Sequence, residues 1–257
     1  MTILNINSKL AWKTDFEISQ VVIPLEKESI KELKSAVLLA RVDPIGRVTG
    51  KIPPMPTLKK QFEEAKKKQL EFPGFCVFNG IQEHLDSDLW GNALRVFAPF
   101  MGKVIGQDLI DQTILDRISA EDQKKFNINI GDYLEIKSVS YKGGDLSKRW
   151  RYSDGKGGGD LHTDGVERPP KFTPKYFGQV MKNTSRKGGK SWLTSVPQIY
   201  LRLQKFVPKL LEVLHNDFCF SLKGDKIDGK EFTTKPIFFK SGEKDGFDTI
   251  GAQYLRH

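Results

Sequence analysis

The sequence contains few cysteines, no long apolar run and no recognisable leader. Its two cysteines, Cys76 and Cys219, both lie in apolar, strand-like runs, which predicts two buried, reduced thiols in a cytoplasmic protein rather than a disulfide. No apolar run approaches the roughly 20 residues that cross a membrane. The first residues lack the basic and apolar regions of a secretory signal. We therefore expect a cytoplasmic protein without a membrane partner.

Repeats and low-complexity tracts are also absent, and the remaining composition is ordinary. A chain of 257 residues with 38% hydrophobic and 28% charged residues is typical of a single globular domain spanning residues 1–257. The net charge of +9 makes nucleic-acid binding an alternative. Its densest basic cluster, Lys59–Lys68, alternates lysines with acids and indicates a solvated helix face. We expect no nucleic-acid partner, although a basic surface can help to attract an anionic substrate.

Five segments carry apolar residues at helical spacing and are predicted as helices. They are Lys27–Arg41, Thr57–Leu70, Leu89–Ala98, Val196–Leu203 and Pro208–Leu214. The segment Asp43–Pro56 is rich in proline and glycine and is predicted to be a loop.

Six apolar or alternating runs predict strands. They are Phe16–Ile23, Phe75–Phe78, Tyr133–Tyr141, Tyr176–Met181, Phe218–Phe220 and Pro236–Phe239. Because strands outnumber helices in the second half of the chain, the pattern favours an α+β protein with a β-sandwich core covered by helices.

A His-x-Asp motif follows a run of three glycines. His162 and Asp164 stand two positions apart, so on an extended backbone their side chains emerge on the same face. An imidazole and a carboxylate provide two of the three ligands in the 2-His-1-carboxylate triad that binds non-haem Fe(II). The alternative is a capping or core histidine beside an aspartate that forms a turn with Gly165.

The glycine run itself, Gly157–Gly159, could suggest a phosphate-binding loop. It lacks the Lys-Ser/Thr ending of that motif, so we predict a mobile lip of an active site instead. Arg151 and Tyr152 precede the run. They either contact a carboxylate of the substrate or form a surface pair.

Several motifs, in this order, resemble the Fe(II)/2-oxoglutarate-dependent oxygenases of the taurine dioxygenase and clavaminate synthase-like group. The similarity covers roughly Phe72 to Phe239. Its features are the Gly74–Phe78 strand, the Asp86–Gly102 helix, the His-Thr-Asp-Gly signature at 162–165, Pro169-Pro170, the Tyr176–Met181 strand and Gly188-Gly189-Lys190-Ser191.

The resemblance implies a double-stranded β-helix (jelly roll) core with covering helices, and Fe(II) and 2-oxoglutarate as cofactors. His162 and Asp164 would be metal ligands and catalytic residues, and Ser191 would place its hydroxyl against a carboxylate of 2-oxoglutarate. The implied reaction uses O2 to hydroxylate a small molecule, such as an amino acid or similar polar metabolite, and converts 2-oxoglutarate to succinate. A carboxylate at Asp164 disfavours halogenation, since halogenating members have a small residue there.

The third ligand departs from the family pattern, which needs a distal histidine followed by an arginine for 2-oxoglutarate. After Asp164 the chain contains only His215 and His257. His215 is predicted to lie at the C-terminus of a helix, which leaves His257 as the candidate ligand. Three alternatives remain open: the chain lacks the C-terminal strands of the domain, it completes the site with His257 and Arg256, or it is an inactive metal- or ligand-binding relative.

Overall fold

The described part of the chain is a mixture of helices and strands. The computed structural model describes residues 3–13, 17–68, 72–106, 108–110, 112–134, 161–165, 174–182, 186–187, 190–221 and 230–253. The predicted α+β class is confirmed. Strands in these residues pair two by two into small sheets, and they form no jelly-roll barrel.

Seven α-helices lie in the described residues, and the five predicted helices are confirmed among them with small differences at their ends. They are α1 (Lys27–Leu39), α2 (Pro56–Lys68), α3 (Trp90–Met101), α4 (Gln112–Leu115), α5 (Ala120–Phe126), α6 (Val196–Phe206) and α7 (Pro208–Val213). No helix in these ranges has the length and apolar character needed to cross a membrane.

The strands are short, and most pair with a neighbour in an antiparallel arrangement. They are β1 (Val22–Pro24), β2 (Arg41–Val42), β3 (Val48–Thr49), β4 (Val77–Asn79), β5 (Asp108–Leu109), β6 (Tyr133–Leu134), β7 (Asp217–Ser221), β8 (Phe232–Pro236), β9 (Phe238–Lys244) and β10 (Phe247–Ala252). The antiparallel pairs are β2–β3, β5–β6, β7–β8 and β9–β10, and β1 is parallel to β4. An Asp-Gly turn with positive φ at both residues, Asp245 and Gly246, closes the β9–β10 hairpin, as the twist of such hairpins favours.

The largest apolar core lies between α1, α2 and α3. Phe62 of α2 is 2% exposed, and its ring stacks on Phe78 of β4 with centroids 4.1 Å apart. Phe97 and Phe100 of α3 tilt against the same ring. One aromatic side chain therefore joins two helices to the parallel strand pair.

Polar side chains join the ends of these helices. The backbone N–H groups of Thr57 and Leu58, at the start of α2, donate to the two carboxylate oxygens of Glu32 on α1 at 3.1 and 2.9 Å. At the other end, the ammonium of Lys66 on α2 donates to the carbonyls of Phe100 and Met101, where α3 ends. Both contacts satisfy terminal groups that a helix leaves unpaired, and each charge matches the sign of the helix dipole.

A second core forms where the N-terminal segment meets the C-terminal hairpins. Its buried members are Leu4, Ile6, Tyr200, Leu211 and Phe238. Ser195 begins α6 by accepting a hydrogen bond from the N–H of Gln198, and its hydroxyl donates to the carbonyl of Leu10. The N-terminal residues are thus part of the packing around α6.

Some predicted strands are wrong in position or absent. Tyr176–Met181 forms no strand, and its residues are mostly exposed. The next residue, Lys182, pairs with Asp88, which lies just before α3. The Pro236–Phe239 run covers the end of β8 and the start of β9 rather than one strand. Of the predicted Phe16–Ile23 strand, Phe16 lies outside the described residues, Ile18–Gln20 form a 3-10 turn, and Val22 and Ile23 belong to β1. Apolar alternation indicates a strand only where a partner edge is present.

The two cysteines are free, but the prediction that both are buried is wrong. Cys219 is exposed on β7, and Cys76 is half-buried beside β4. Burial raises the pKa of the Cys76 thiol, which lowers its thiolate fraction at neutral pH.

We expect Cys219 to react with a thiol reagent such as DTNB faster than Cys76 at neutral pH, because the thiolate is the nucleophile. The rate at Cys76 should rise as the pH increases through and above the ordinary thiol range. Cys219→Ser should remove the fast phase and Cys76→Ser the slow one. Equal rates for the two thiols would contradict this assignment.

Replacing Glu32 with alanine should lower the free energy of unfolding by about 1–2 kcal/mol, the usual cost of losing a helix N-cap. Urea unfolding followed by circular dichroism measures the change. Glu63→Ala, at an exposed carboxylate on α2, is the matched control and should shift stability by less than about 0.5 kcal/mol. If both variants lowered the free energy of unfolding by the same amount, Glu32 would stabilise the fold through its charge alone and not through its hydrogen bonds to α2.

Candidate functional site

His162 and Asp164 lie together in the short segment Leu161–Gly165. The segment forms a turn rather than a strand, and Gly165 has a φ of +70°, a conformation that glycine adopts at little cost. His162 Nε2 lies 3.6 Å from Asp164 Oδ1, and the two side chains are 39% and 50% exposed. The turn therefore presents an imidazole and a carboxylate side by side at the surface.

This geometry fits two kinds of interaction. Neighbouring ligands about 2.1 Å from an octahedral ion are about 3 Å apart, so a small side-chain rotation would let both atoms bind one Fe(II). The same distance also fits an ion pair between an imidazolium and a carboxylate, which contributes little stability when exposed. The donor types suit ferrous iron, and their exposure leaves room for further ligands.

The described residues supply only these two neighbouring donors. No group of three or more histidine, cysteine, aspartate or glutamate side chains in the described ranges is arranged to hold a metal. His257, the predicted third ligand, lies outside those ranges, as do Arg151, Tyr152 and the Gly157–Gly159 run. Their predicted roles stay predictions.

Ser191 lies in an exposed segment that leads into α6. Its side chain is exposed, and the neighbouring Trp192 is 79% exposed. A hydroxyl in this position is accessible to a small dissolved ligand. The assignment of Ser191 to 2-oxoglutarate remains a prediction of the sequence resemblance.

His215, the other histidine after Asp164, contacts Tyr200. It follows the end of α7, which confirms its predicted position at the C-terminus of a helix. Its Nε2 lies 2.9 Å from Tyr200 Oη, and the two rings meet edge to face with centroids 5.7 Å apart. This ring nitrogen is therefore engaged in the second core.

The Tyr200 hydroxyl anchors the N-terminal segment. Tyr200 is fully buried, and its Oη accepts a hydrogen bond of 2.9 Å from the N–H of Leu4. Burial raises the pKa of Tyr200, the donation from Leu4 opposes that shift, and the charge of Asp248 adds to it. The hydroxyl is thus protonated at neutral pH. It shares a hydrogen bond with Nε2 of His215, and the tautomer of that imidazole sets which of the two atoms donates.

The sequence does not predict this cluster, because Leu4 and Tyr200 lie at opposite ends of the chain and the contact with His215 depends on how α6 and α7 pack. The only signal is a tyrosine on the apolar face of α6, where a buried hydroxyl needs partners. Nothing in a single sequence indicates that the backbone of Leu4 and the ring of His215 would be those partners.

Comparisons with protein-family models, with curated proteins and with solved structures find no match to this chain. No relative therefore assigns a role to the His162–Asp164 pair, to Ser191 or to His215.

Tyr200→Phe should reduce the free energy of unfolding by about 1–3 kcal/mol, because it leaves the Leu4 N–H and the His215 nitrogen without their partner. Urea unfolding monitored by tryptophan fluorescence measures the loss. Tyr176→Phe, at a tyrosine that is 38% exposed, should change stability by less than about 0.5 kcal/mol. If Tyr200→Phe left the free energy of unfolding unchanged, the hydroxyl would contribute nothing to the anchoring of residue 4.

Proposed function

We propose that this protein is an Fe(II)/2-oxoglutarate-dependent oxygenase that hydroxylates a small molecule, with an amino acid or similar polar metabolite as the substrate class. 2-Oxoglutarate would be decarboxylated to succinate in the same reaction. The observation that carries the proposal is the approach of His162 Nε2 to Asp164 Oδ1 at 3.6 Å. It is supported by the ordered motifs around that pair, which resemble the taurine dioxygenase group.

In this proposal His162 and Asp164 would hold the iron through an imidazole nitrogen and a carboxylate oxygen. The bound metal would supply the activation of O2. Both protein ligands must be deprotonated at the metal-binding atoms, so binding should weaken as the pH falls. Their partial exposure lets a dissolved oxoacid and substrate approach from one side. Ser191 would orient a carboxylate of 2-oxoglutarate with its hydroxyl.

The finer fold belongs to the same proposal. A jelly roll is built from antiparallel strands, and the β7–β8 and β9–β10 hairpins are antiparallel units of that kind. They would contribute strands to a double-stranded β-helix, and α1 to α3 would supply part of the helical cover.

The second candidate is a catalytically inactive metal- or ligand-binding relative. It is favoured by the two-donor set in the described residues and by the engagement of His215 with Tyr200. Two protein ligands bind a metal more weakly than three, and an incomplete set would leave 2-oxoglutarate without a positioned oxidant.

An anaerobic titration with Fe(II) and 2-oxoglutarate tests the proposal. We expect a visible charge-transfer band, because chelation of the oxoacid to ferrous iron creates that absorption. His162→Ala and Asp164→Ala should abolish the band, since each removes one ligand. His84→Ala, at an exposed histidine after β4, is the matched control and should leave it unchanged.

Admission of O2 then separates the two candidates. Succinate formed from 2-oxoglutarate supports the oxygenase, whereas a band without succinate supports the inactive relative. If no band forms and His162→Ala leaves metal affinity unchanged, the pair does not bind iron and the oxygenase proposal fails.

A further inference from the structure

A groove lies along the outer side of α1, and its residues are far in sequence from the His-x-Asp motif. It has a volume of about 420 Å³. The residues that line it are Lys27, Ile30, Lys31, Lys34, Ser35, Leu38 and His84. Six of them belong to α1, and His84 comes from the turn that follows β4, so the groove has two walls from separate parts of the chain.

The position of the groove follows from how α1 packs. Its buried side chains are Ser29, Leu33, Ala36 and Val37, which face the core shared with α2 and α3. The lysines at 27, 31 and 34 recur at intervals of four and three, so they occupy one face of the helix on the side away from that core. From Lys27 to Lys34 the helix rises about 10 Å.

Apolar side chains lie among the lysines. Ile30 is half-buried, and Leu38 is 62% exposed. An exposed leucine alone needs no explanation. Here it lies about two helical turns beyond Ile30, and both side chains line the same groove.

The charge of the groove is positive. Three ammonium groups line it, and the acid that contacts one of them, Glu28, lies 3.5 Å from Lys31. Both members of that pair are well exposed, at 57% and 75%, so the contact contributes little and a bound carboxylate can replace it. A complementary ligand carries several negative charges spaced along about 10 Å, together with an apolar group.

We infer that this groove, hereafter the α1 groove, binds an acidic peptide segment of a partner protein. Carboxylates of the peptide pair with Lys27, Lys31 and Lys34, and an apolar side chain packs on Ile30 and Leu38. A single phosphate spans neither the row of lysines nor the distance between Ile30 and Leu38. The inference is independent of the proposed oxygenase activity.

Fluorescence anisotropy with a labelled peptide of alternating glutamate and leucine tests the inference on the full chain. We expect saturable binding that weakens with added salt. Lys31→Glu combined with Lys34→Glu should weaken it about tenfold or more, and Leu38→Ser about fivefold. The control, Lys60→Glu with Lys67→Glu, makes the same charge change on exposed positions of α2 and should alter binding less than about twofold.

Further peptides, inorganic phosphate and vesicles distinguish an acidic peptide from other ligands of the α1 groove. A peptide with glutamine in place of glutamate, or with serine in place of leucine, should bind weakly. Equal binding of the serine peptide, or equal loss of binding in the α2 control, overturns the inference, because net charge alone would then explain the result. It is also overturned if inorganic phosphate displaces the peptide at matched ionic strength. Binding to vesicles of phosphatidylcholine and phosphatidylserine without binding to the peptide would assign the groove to a membrane instead. Circular dichroism of each variant establishes that the fold is retained.

Discussion

The Glu32 carboxylate on α1 accepts hydrogen bonds from the start of α2 and is the polar contact that orients these two helices around their apolar core. Two N–H groups at the start of α2, which have no partner within the helix, donate to this side chain of α1. The ammonium of Lys66 on α2 donates to the carbonyls where α3 ends. The Glu32 contact holds one side of α1 against the start of α2. Since Leu33, Ala36 and Val37 then face inward, the lysine-bearing side must face outward, and the α1 groove follows from the same constraint as the core.

The N-terminal segment has an equivalent function for the C-terminal hairpins. Leu4 donates to Tyr200, and Asn5 exchanges hydrogen bonds with Asp248, whose backbone N–H donates back to the Asn5 carbonyl. Lys240 pairs with the same carboxylate, which lowers the pKa of Asp248 through that hydrogen bond, with the Asn5 N–H adding to it. These partners are far apart in sequence, so their contacts carry a large loop-closure cost and form only when both ends are in place.

The sequence predicts local structure well and distant contacts poorly, for identifiable reasons. Helical spacing locates α1, α2, α3, α6 and α7, because the buried side of each helix is encoded within the helix. The same reasoning fails for Tyr176–Met181, where a strand would need a partner edge, and for Cys219, whose apolar neighbours do not bury it. The hydrogen bond between Leu4 and Tyr200 joins residues from opposite ends of the chain, and one sequence contains no signal for such a pair.

The difference between local and distant contacts also applies to the proposed iron site. His162 and Asp164 come from a single turn, which places their side-chain atoms 3.6 Å apart. If the pair holds iron as proposed, a third protein ligand would come from outside that turn, because the rest of it offers no imidazole or second carboxylate. Recruiting Nε2 of His215 would leave the buried hydroxyl of Tyr200 without that hydrogen-bond partner, at a cost comparable to a lost buried hydrogen bond. In the proposed iron site, the third protein ligand would therefore be a donor other than His215.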